Sequence, residues 1–188
     1  MIRAFPAILA ATLALPALAA PESFTVDPRH TFPSFEVNHL GFSTQRGRFN
    51  KSTGRITLDR EAKVGTVEIE IEAASVDTGL DKLEEHLVGE DFFNVAKYPR
   101  MTFKSRSMSF NGDKPASVSG DFTLLGVTKP VTLTINAFNC GVHPINKKNV
   151  CGADVSGTIQ RSEFGMTKYV PGVSDEVKLQ IQVEAFKD

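Results

Sequence analysis

The sequence has no tryptophan, two tyrosines and two cysteines among its 188 residues. Its formal net charge is -1, and its longest basic run is Lys147-Lys148, so no basic field is available to gather phosphates. The nucleophile elbow G-x-S-x-G, the P-loop, the dinucleotide motif G-x-G-x-x-G and the zinc motif H-E-x-x-H are also absent. The sequence therefore predicts no nucleic-acid partner, no metal site and no catalytic residue.

The first 19 residues have the pattern of a secretory signal peptide. Arg3 precedes an apolar run at 4–18, and the residues at 17–19 fit an A-x-A cleavage site. A membrane anchor is the alternative, but the run is shorter than the roughly 20 apolar residues that a bilayer needs, and it contains two prolines. We therefore predict cleavage after Ala19, export, and no membrane-spanning segment in the rest of the chain.

Cys140 and Cys151 flank a loop that is rich in Gly, Pro and Asn, between two segments of alternating residues. In an oxidising compartment such a pair persists as a disulfide, which would hold the base of a strand–loop–strand unit with about 3 kcal/mol of stabilisation. A zinc site with His143 as a third ligand is the alternative, but the stretch lacks a further ligand group. We therefore predict a structural disulfide.

Most of the chain from Ser23 onward alternates apolar and polar residues with the period of a β-strand. In the stretch TVEIEIEA, Val67, Ile69 and Ile71 alternate with glutamates, and the segments at 131–138 and 177–186 repeat the pattern. Shorter repeats between turn residues bring the number of strands to about eight or more. Clean alternation disfavours a parallel α/β sheet, so the sequence predicts one all-β antiparallel domain, a sandwich or a barrel.

One segment interrupts the β pattern. In TGLDKLEEHLVGE, Leu80, Leu83 and Leu87 recur at helical spacing, and Gly89 stands where a C-terminal cap belongs. A helix this short is not stable alone in water, so its leucines must pack on an apolar surface. In a barrel that surface is an end or a mouth.

Phenylalanine is the abundant aromatic residue, with 14 in the chain. These residues fall in different strands and loops, so they can converge in space. They either fill a solid core or form the smooth, polar-free walls of a cavity for a long apolar ligand, and composition leaves both interpretations open. His39 shares a strand face with Phe35 and Val37, where it is a core or rim imidazole or, alternatively, a catalytic base.

Several stretches together resemble the YceI-like family of secreted lipid-binding proteins. The region from Phe24 to Asn50 contains D-x-x-H at 27–30, V-x-H-L-G at 37–41 and G-x-F at 47–49. The later stretches ASVDTG, HLVGEDFFNVAKYPRMTF, GDFTLLGVTKPVTL and RSEFGM follow in the family's order. Each piece is short, but the ordered set is specific and extends to Phe186.

The resemblance implies an extended eight-stranded antiparallel lipocalin-like barrel over residues 23–187, with the helix at 78–88 near its opening. It also implies a non-catalytic periplasmic protein, often a dimer, whose interior holds a long isoprenoid or similar amphiphile and no other cofactor. Family members usually carry an Arg-Asp pair before the His-Leu, where this chain has Glu84 and Glu85. This difference disfavours an anionic head group and favours a quinone- or prenol-like lipid.

The predicted ligand-binding residues follow from the strand pattern and the resemblance together. The predicted walls are apolar side chains from several segments: Phe35, Val37, Phe42, Phe49, Leu87, Phe92, Phe93, Met101, Phe103, Phe122, Leu124, Phe164 and Met166. The predicted polar contacts to the head group are His39, His86 and Arg161. Two other classes of function stay open: a lipid-modifying enzyme with His39 as base, and a stress-response module that binds a protein partner.

Overall fold

The computed structural model describes residues 21–188, so the predicted signal peptide lies outside the described residues. The eleven strands are β1 (Glu22–Val26), β2 (Phe32–His39), β3 (Ser43–Phe49), β4 (Ser52–Asp59), β5 (Val64–Glu72), β6 (Val76–Asp77), β7 (Arg100–Asn111), β8 (Lys114–Leu124), β9 (Val127–Val142), β10 (Asn149–Gln160) and β11 (Glu176–Lys187). One α-helix, α1 (Asp81–Leu87), and 3-10 turns at Ala73–Ser75 and Arg161–Phe164 complete the described part of the chain.

Eight of the strands form a closed antiparallel barrel. Their order is β1-β4-β5-β7-β8-β9-β10-β11, and pairing of β1 with β11, where Val26 lies opposite Ala185, closes the ring. The predicted all-β barrel and its strand number are therefore confirmed.

Strand β11 has two different neighbours along its length. Its C-terminal end pairs with β1, whereas its N-terminal half pairs with β2, where Leu179 lies opposite Phe35. Strand β2 continues into β3, which pairs with the two-residue strand β6. The sheet thus extends beyond the ring at the end where β2 stops at His39, and we call this end the mouth.

The opposite end of the barrel is closed by a small apolar cluster. Phe24, Val26, Leu58 and Ala185 are buried there with relative exposures of 2–4%. A larger apolar cluster, which includes Phe49, Phe93 and Phe164, occupies the middle and the mouth. The core therefore divides into a small closed-end cluster and a large cluster near the mouth.

The alternation in β5 has the predicted consequence for burial. Ile71 is buried, whereas Glu68 and Glu70 face solvent and form ion pairs with Lys104 and Arg100 on β7. Exposed pairs of this kind contribute little to stability, about 0–1 kcal/mol each. The inward apolar side chains therefore provide most of the stabilising burial in this strand.

The two cysteines form the predicted disulfide. Cys140 on β9 lies directly opposite Cys151 on β10, with a Cα–Cα distance of 4.1 Å. The loop that joins the two strands begins just beyond this pair, so the prediction of a strand, a loop and a strand held at the base is confirmed.

Helix α1 is shorter than the predicted span of 78–88. The Glu84 carboxylate accepts hydrogen bonds from the backbone N–H groups of Thr78 and Gly79, at 2.8 and 3.1 Å, and Gly79 has a φ of +75°. The residues before Asp81 therefore form a turn that the Glu84 side chain holds, and the helix begins only at Asp81. Leu80 lies in this turn and is 57% exposed, so it does not pack inward as the leucine spacing predicted.

Asp27 anchors the connection between β1 and β2. It is 5% exposed, its Oδ1 accepts a hydrogen bond from the Arg29 Nε–H at 3.2 Å, and its Oδ2 lies 2.8 Å from His30 Nδ1. Burial by itself raises the pKa of this carboxyl, but the hydrogen bonds from Arg29 and His30 outweigh it and lower the pKa to about 2.

We expect Asp27→Asn to weaken the dependence of stability on acid pH. A carboxyl whose pKa is lower in the folded state stabilises the fold above its unfolded pKa of about 4, and this contribution disappears as the pH falls toward about 2. Because the partner side chains are largely exposed, we expect a contribution of about 1 kcal/mol. Urea unfolding at several pH values measures it, with the exposed Glu61→Gln as control. If the free energy of unfolding falls equally steeply with acid pH in the wild type and in Asp27→Asn, this account is wrong.

Candidate functional site

Two adjoining apolar cavities, the upper and the lower chamber, follow one another from the mouth into the barrel. The upper chamber, next to the mouth, has a volume of about 410 Å³, and the lower chamber has about 150 Å³. Phe122 and Leu179 belong to the walls of both chambers. The inward faces of the ring strands supply most of the lining, as the period-two alternation requires.

Polarity changes along the cavity. Among the described residues, Thr31 is the only polar one in the wall of the lower chamber. The wall of the upper chamber adds polar side chains, most of them on the end of β2, the start of β3, α1 and the loop before β11: His39, Gln45, Arg46, Thr78, His86, Arg161 and Tyr169. The interior therefore suits an apolar chain, and the mouth suits a polar group attached to it.

Three phenylalanines form an aromatic cluster in the upper chamber. Phe49 lies 5.3 Å from Phe93 and 5.8 Å from Phe35 between ring centroids, and Phe35 lies 6.5 Å from Phe93. Gly47 makes room for this cluster, because a Cβ at that position would lie 2.4 Å from the Phe35 ring. The wall here is rigid, aromatic and free of polar atoms.

Helix α1 and the turn after it cover part of the mouth. Leu83 and Leu87 line the upper chamber, and the exposed His86 ring lies 5.0 Å from the Phe92 ring and 6.2 Å from the Tyr169 ring. These rings connect the helix to the loop at 165–175, which an ion pair of 3.1 Å between Lys168 and Asp91 also joins to the turn after α1.

Arg161 is buried below the loop before β11 and holds it by hydrogen bonds. Its side chain is 3% exposed, and its Nε donates to the Ser174 carbonyl at 2.9 Å. Its Nη1 donates to the Met166 carbonyl at 3.0 Å, and its Nη2 donates to those of Lys168 and Val173 at 2.9 Å each. Arg161 lines the upper chamber, and the four hydrogen bonds of its guanidinium go to this loop; its predicted contact with a head group stays a prediction.

The charge of Arg161 is stabilised from nearby. Burial lowers the pKa of its guanidinium, and the neighbouring carboxylate of Asp175 opposes this shift. Hydrogen bonds from the backbone N–H and hydroxyl of Ser162 lower the pKa of Asp175. The Asp175 carboxylate is thus held in its ionised form near the buried cation.

Most of the predicted ligand-binding residues meet in the upper chamber. It is lined by Phe35, Val37, His39, Phe49, His86, Leu87, Phe92, Phe93, Met101, Phe122, Leu124, Arg161 and Met166. Phe103 lies instead in the wall of the lower chamber. Phe164 lines neither chamber and is buried behind Phe122, with 5.6 Å between ring centroids.

Phe42 is a correction to the predicted wall. It is 89% exposed, because β2 ends at His39 and the positive φ angles of Leu40 and Gly41 turn the chain before Phe42. The alternation of β2 therefore ends at His39 and does not include Phe42.

Sequence reasoning missed several lining residues. Val177 and Leu179 lie on the apolar face of β11, so the alternation of this strand was enough to predict that both point into the barrel. Gln45 and Tyr169 had no such signal, because β3 is exposed along most of its length and Tyr169 lies in a loop.

His39 has no catalytic partner in the described part of the chain. It is exposed at the end of β2, and no carboxylate or hydroxyl among residues 21–188 forms a hydrogen bond with its ring. In the same range, no group of three or more His, Cys, Asp or Glu side chains is arranged to hold a metal ion. The helix that the structure describes is too short to cross a membrane.

Comparison with known proteins identifies the family. A family profile described as the YceI-like domain matches residues 24–185. The chain belongs to the YceI-like family. Protein YceI of Escherichia coli O6:H1 is 37% identical over 169 residues, which cover 89% of this chain and 87% of that protein. UPF0312 protein PA0423 of Pseudomonas aeruginosa is 36% identical over 172 residues, with 91% and 89% coverage.

Solved structures agree with this YceI-like barrel. BcnA of Burkholderia cenocepacia superimposes with a TM-score of 0.70 at 25% identity, covering 85% of this chain and 98% of its own. A polyisoprenoid binding domain from Saccharophagus degradans, implicated in plant cell wall breakdown, superimposes with a TM-score of 0.64 at 14% identity, covering 89% and 99%. The second likeness shows the fold alone.

Proposed function

We propose that this YceI-like protein is a non-catalytic periplasmic carrier that holds a long polyisoprenoid or similar amphiphilic lipid in its barrel. The observation that carries the proposal is that both chambers are apolar inside, while most of the polar side chains of the lining lie at the mouth. A lipid tail would be held by burial at about 25 cal/mol per Å². The polyisoprenoid-binding description of the Saccharophagus degradans domain supports this choice of ligand.

The proposed head group is quinone- or prenol-like and lies among the polar side chains of the mouth. His39, His86, Gln45 and Tyr169 offer hydrogen-bonding groups there. The two cations of the same wall already have partners, because Arg46 pairs with Glu36 and the buried Arg161 donates to four loop carbonyls. The Glu84 carboxylate is engaged by backbone N–H groups, whereas Glu85 is exposed on α1 and disfavours an anion. A neutral head group therefore fits the mouth best.

Native mass spectrometry tests this function. The chain should be exported with its own N-terminal segment and purified without detergent, and the masses of co-purifying molecules measured. We expect an isoprenoid-type lipid to leave with the protein, and the delipidated protein to take up ubiquinone or a polyprenol. A spectrum without bound lipid, together with no uptake of either probe, would remove the basis of the proposal.

Phe93→Ala should affect ligand retention more than stability. Truncating Phe in a solid core costs about 3–5 kcal/mol, but one side of Phe93 faces the chamber, so fewer contacts are lost and we expect about 1–2 kcal/mol. The matched control is Phe24→Ala at the packed closed end, where we expect the full cost without loss of lipid. Urea unfolding of delipidated protein and native mass spectrometry measure the two effects. Equal destabilisation by both variants with unchanged lipid retention would argue against a ligand cavity.

A further inference from the structure

Exposed apolar side chains border the cavity mouth on one side. On the β2–β3 turn, Leu40 is 56% and Phe42 is 89% exposed, and on the loop before β11, Tyr169 is 53% and Val170 is 37% exposed. Isolated apolar side chains are common on protein surfaces, but a group of them beside a ligand cavity indicates an interaction surface. We call these four residues the rim.

The rim is a fixed edge, because the two segments that carry it are joined. The Leu40 N–H donates to the Gly172 carbonyl at 2.7 Å, and the Ser174 N–H donates to the Asn38 carbonyl at 3.0 Å. His39 also forms an isolated antiparallel bridge with Val173. The apolar side chains are therefore held outward by backbone contacts, while Arg161 supports the same loop from inside.

Charge is divided unevenly around the mouth. The rim segments, 37–49 and 164–174, contain Arg46, Arg48 and Lys168 and no Asp or Glu. Helix α1 and the turn after it, 81–91, meet the rim loop where Asp91 pairs with Lys168, and they contain one lysine and five acids: Asp81, Glu84, Glu85, Glu90 and Asp91. The rim side is thus basic and apolar, and the helix side is acidic.

The cations of the rim side are available to an external anion. Each forms an ion pair, with Glu36, Asp77 and Asp91 respectively, yet the side chains of Arg46, Arg48 and Lys168 remain 68%, 49% and 44% exposed. Exposed pairs of this kind are weak, so a phosphate can replace or join the carboxylate.

We propose that the rim docks the protein on the surface of a lipid bilayer that contains anionic phospholipids. Phe42, Leu40, Tyr169 and Val170 enter the interface, and the nearby cations contact lipid phosphates. The mouth then meets the bilayer directly, so that a lipid tail passes between membrane and cavity without crossing water. The purpose of docking rests on the proposed carrier function, whereas the docking itself is measured independently.

The test is flotation of the purified chain with vesicles of phosphatidylcholine and phosphatidylglycerol. We expect Phe42→Ser to lower the vesicle partition coefficient by about ten-fold. The matched control is Ile145→Ser, which removes an apolar side chain that is 85% exposed on the β9–β10 loop, far from the mouth, and should change partition by less than about two-fold. Raising the salt from about 0.1 M to 1 M should weaken the binding of the wild type.

Sedimentation velocity and lipid retention separate the other outcomes. In one such outcome, the wild type does not bind vesicles but forms a dimer, and Phe42→Ser dissociates that dimer. This result would overturn docking and show that the rim is an interface between copies of this chain. Equal partition of the wild type and Phe42→Ser would also overturn it. Native mass spectrometry of the same samples keeps the two proposals apart, because Phe42→Ser should retain bound lipid. If the wild type retains lipid but does not bind vesicles, docking fails and the carrier function stands.

Discussion

Leu179→Trp should abolish the binding of a long-tailed prenyl quinone while it leaves the binding of a short-tailed analogue nearly unchanged. Leu179 lies in the walls of both chambers, so an indole at this position would stand where the two chambers adjoin. Each methylene that no longer enters the lower chamber costs about 0.8 kcal/mol, so exclusion of one isoprene unit weakens binding by more than about 100-fold. The short analogue needs the upper chamber alone.

The matched control for this variant is Lys178→Trp. Position 178 is the preceding residue of the same strand and faces solvent, so the indole there adds bulk outside the barrel. Native mass spectrometry titration gives the dissociation constants. Because the natural chain has no tryptophan, the fluorescence of the introduced indole also reports ligand contact, with quenching by the quinone expected for Leu179→Trp. Undiminished binding of the long quinone to Leu179→Trp would show that the tail does not reach the lower chamber.

Arg161→Met should lower the free energy of unfolding by about 3–5 kcal/mol. The substitution removes four hydrogen bonds to the loop before β11 and leaves one buried and three partly buried carbonyl groups without these donors. Methionine keeps much of the apolar volume, so the loss comes from the donors rather than from packing. Urea denaturation of the delipidated protein measures the change, and limited proteolysis should show faster cleavage within 166–174.

Two further variants test the reason for this loss. Arg161→Lys keeps the charge but offers three donors without the planar fork, so we expect it to restore less than half of the stability. Arg46→Met removes an exposed arginine that pairs with Glu36 at the mouth, and it should cost less than about 1 kcal/mol. If Arg161→Met is as stable as Arg46→Met, Arg161 does not hold the loop.

The barrel was predictable as a class of fold but not in its connections. The alternation around Ile69 in β5 specifies which face is buried, since successive side chains point to opposite sides of a sheet. The pairing of β11 with both β1 and β2 depends on contacts between distant parts of the chain, which no local pattern records. Leu80 has the same helical spacing as Leu83, but it precedes the helix. The Thr78 backbone N–H donates a hydrogen bond to the Glu84 carboxylate, and this bond holds the residues before the helix in a turn.

The cavity was predictable in part for similar reasons. Phe35, Phe49 and Phe93 converge only after the barrel closes, so their roles came from the family resemblance rather than from their spacing. The sequence predicted Arg161 to be a polar residue near the mouth. That its guanidinium donates to four loop carbonyls depends on tertiary structure and could not be predicted. Phe42 satisfied the same compositional rule as Phe49, and the turn at Leu40 places it outside.

Because β11 pairs with both β1 and β2, the sheet has a ring and an extension formed by β2, β3 and β6, and its strand pairs differ in how strongly they resist separation. The ladders of the ring range from three residue pairs between β1 and β11 to eleven between β10 and β11. Outside the ring, β3 meets β6 through two pairs, Arg48 with Asp77 and Phe49 with Val76. Separating β3 from β6 would enlarge the bore beside Phe49 while every ladder of the ring stays intact. The two-pair join between β3 and β6 is therefore the place beside the cavity where the fewest backbone hydrogen bonds oppose the entry of a guest bulkier than the mouth.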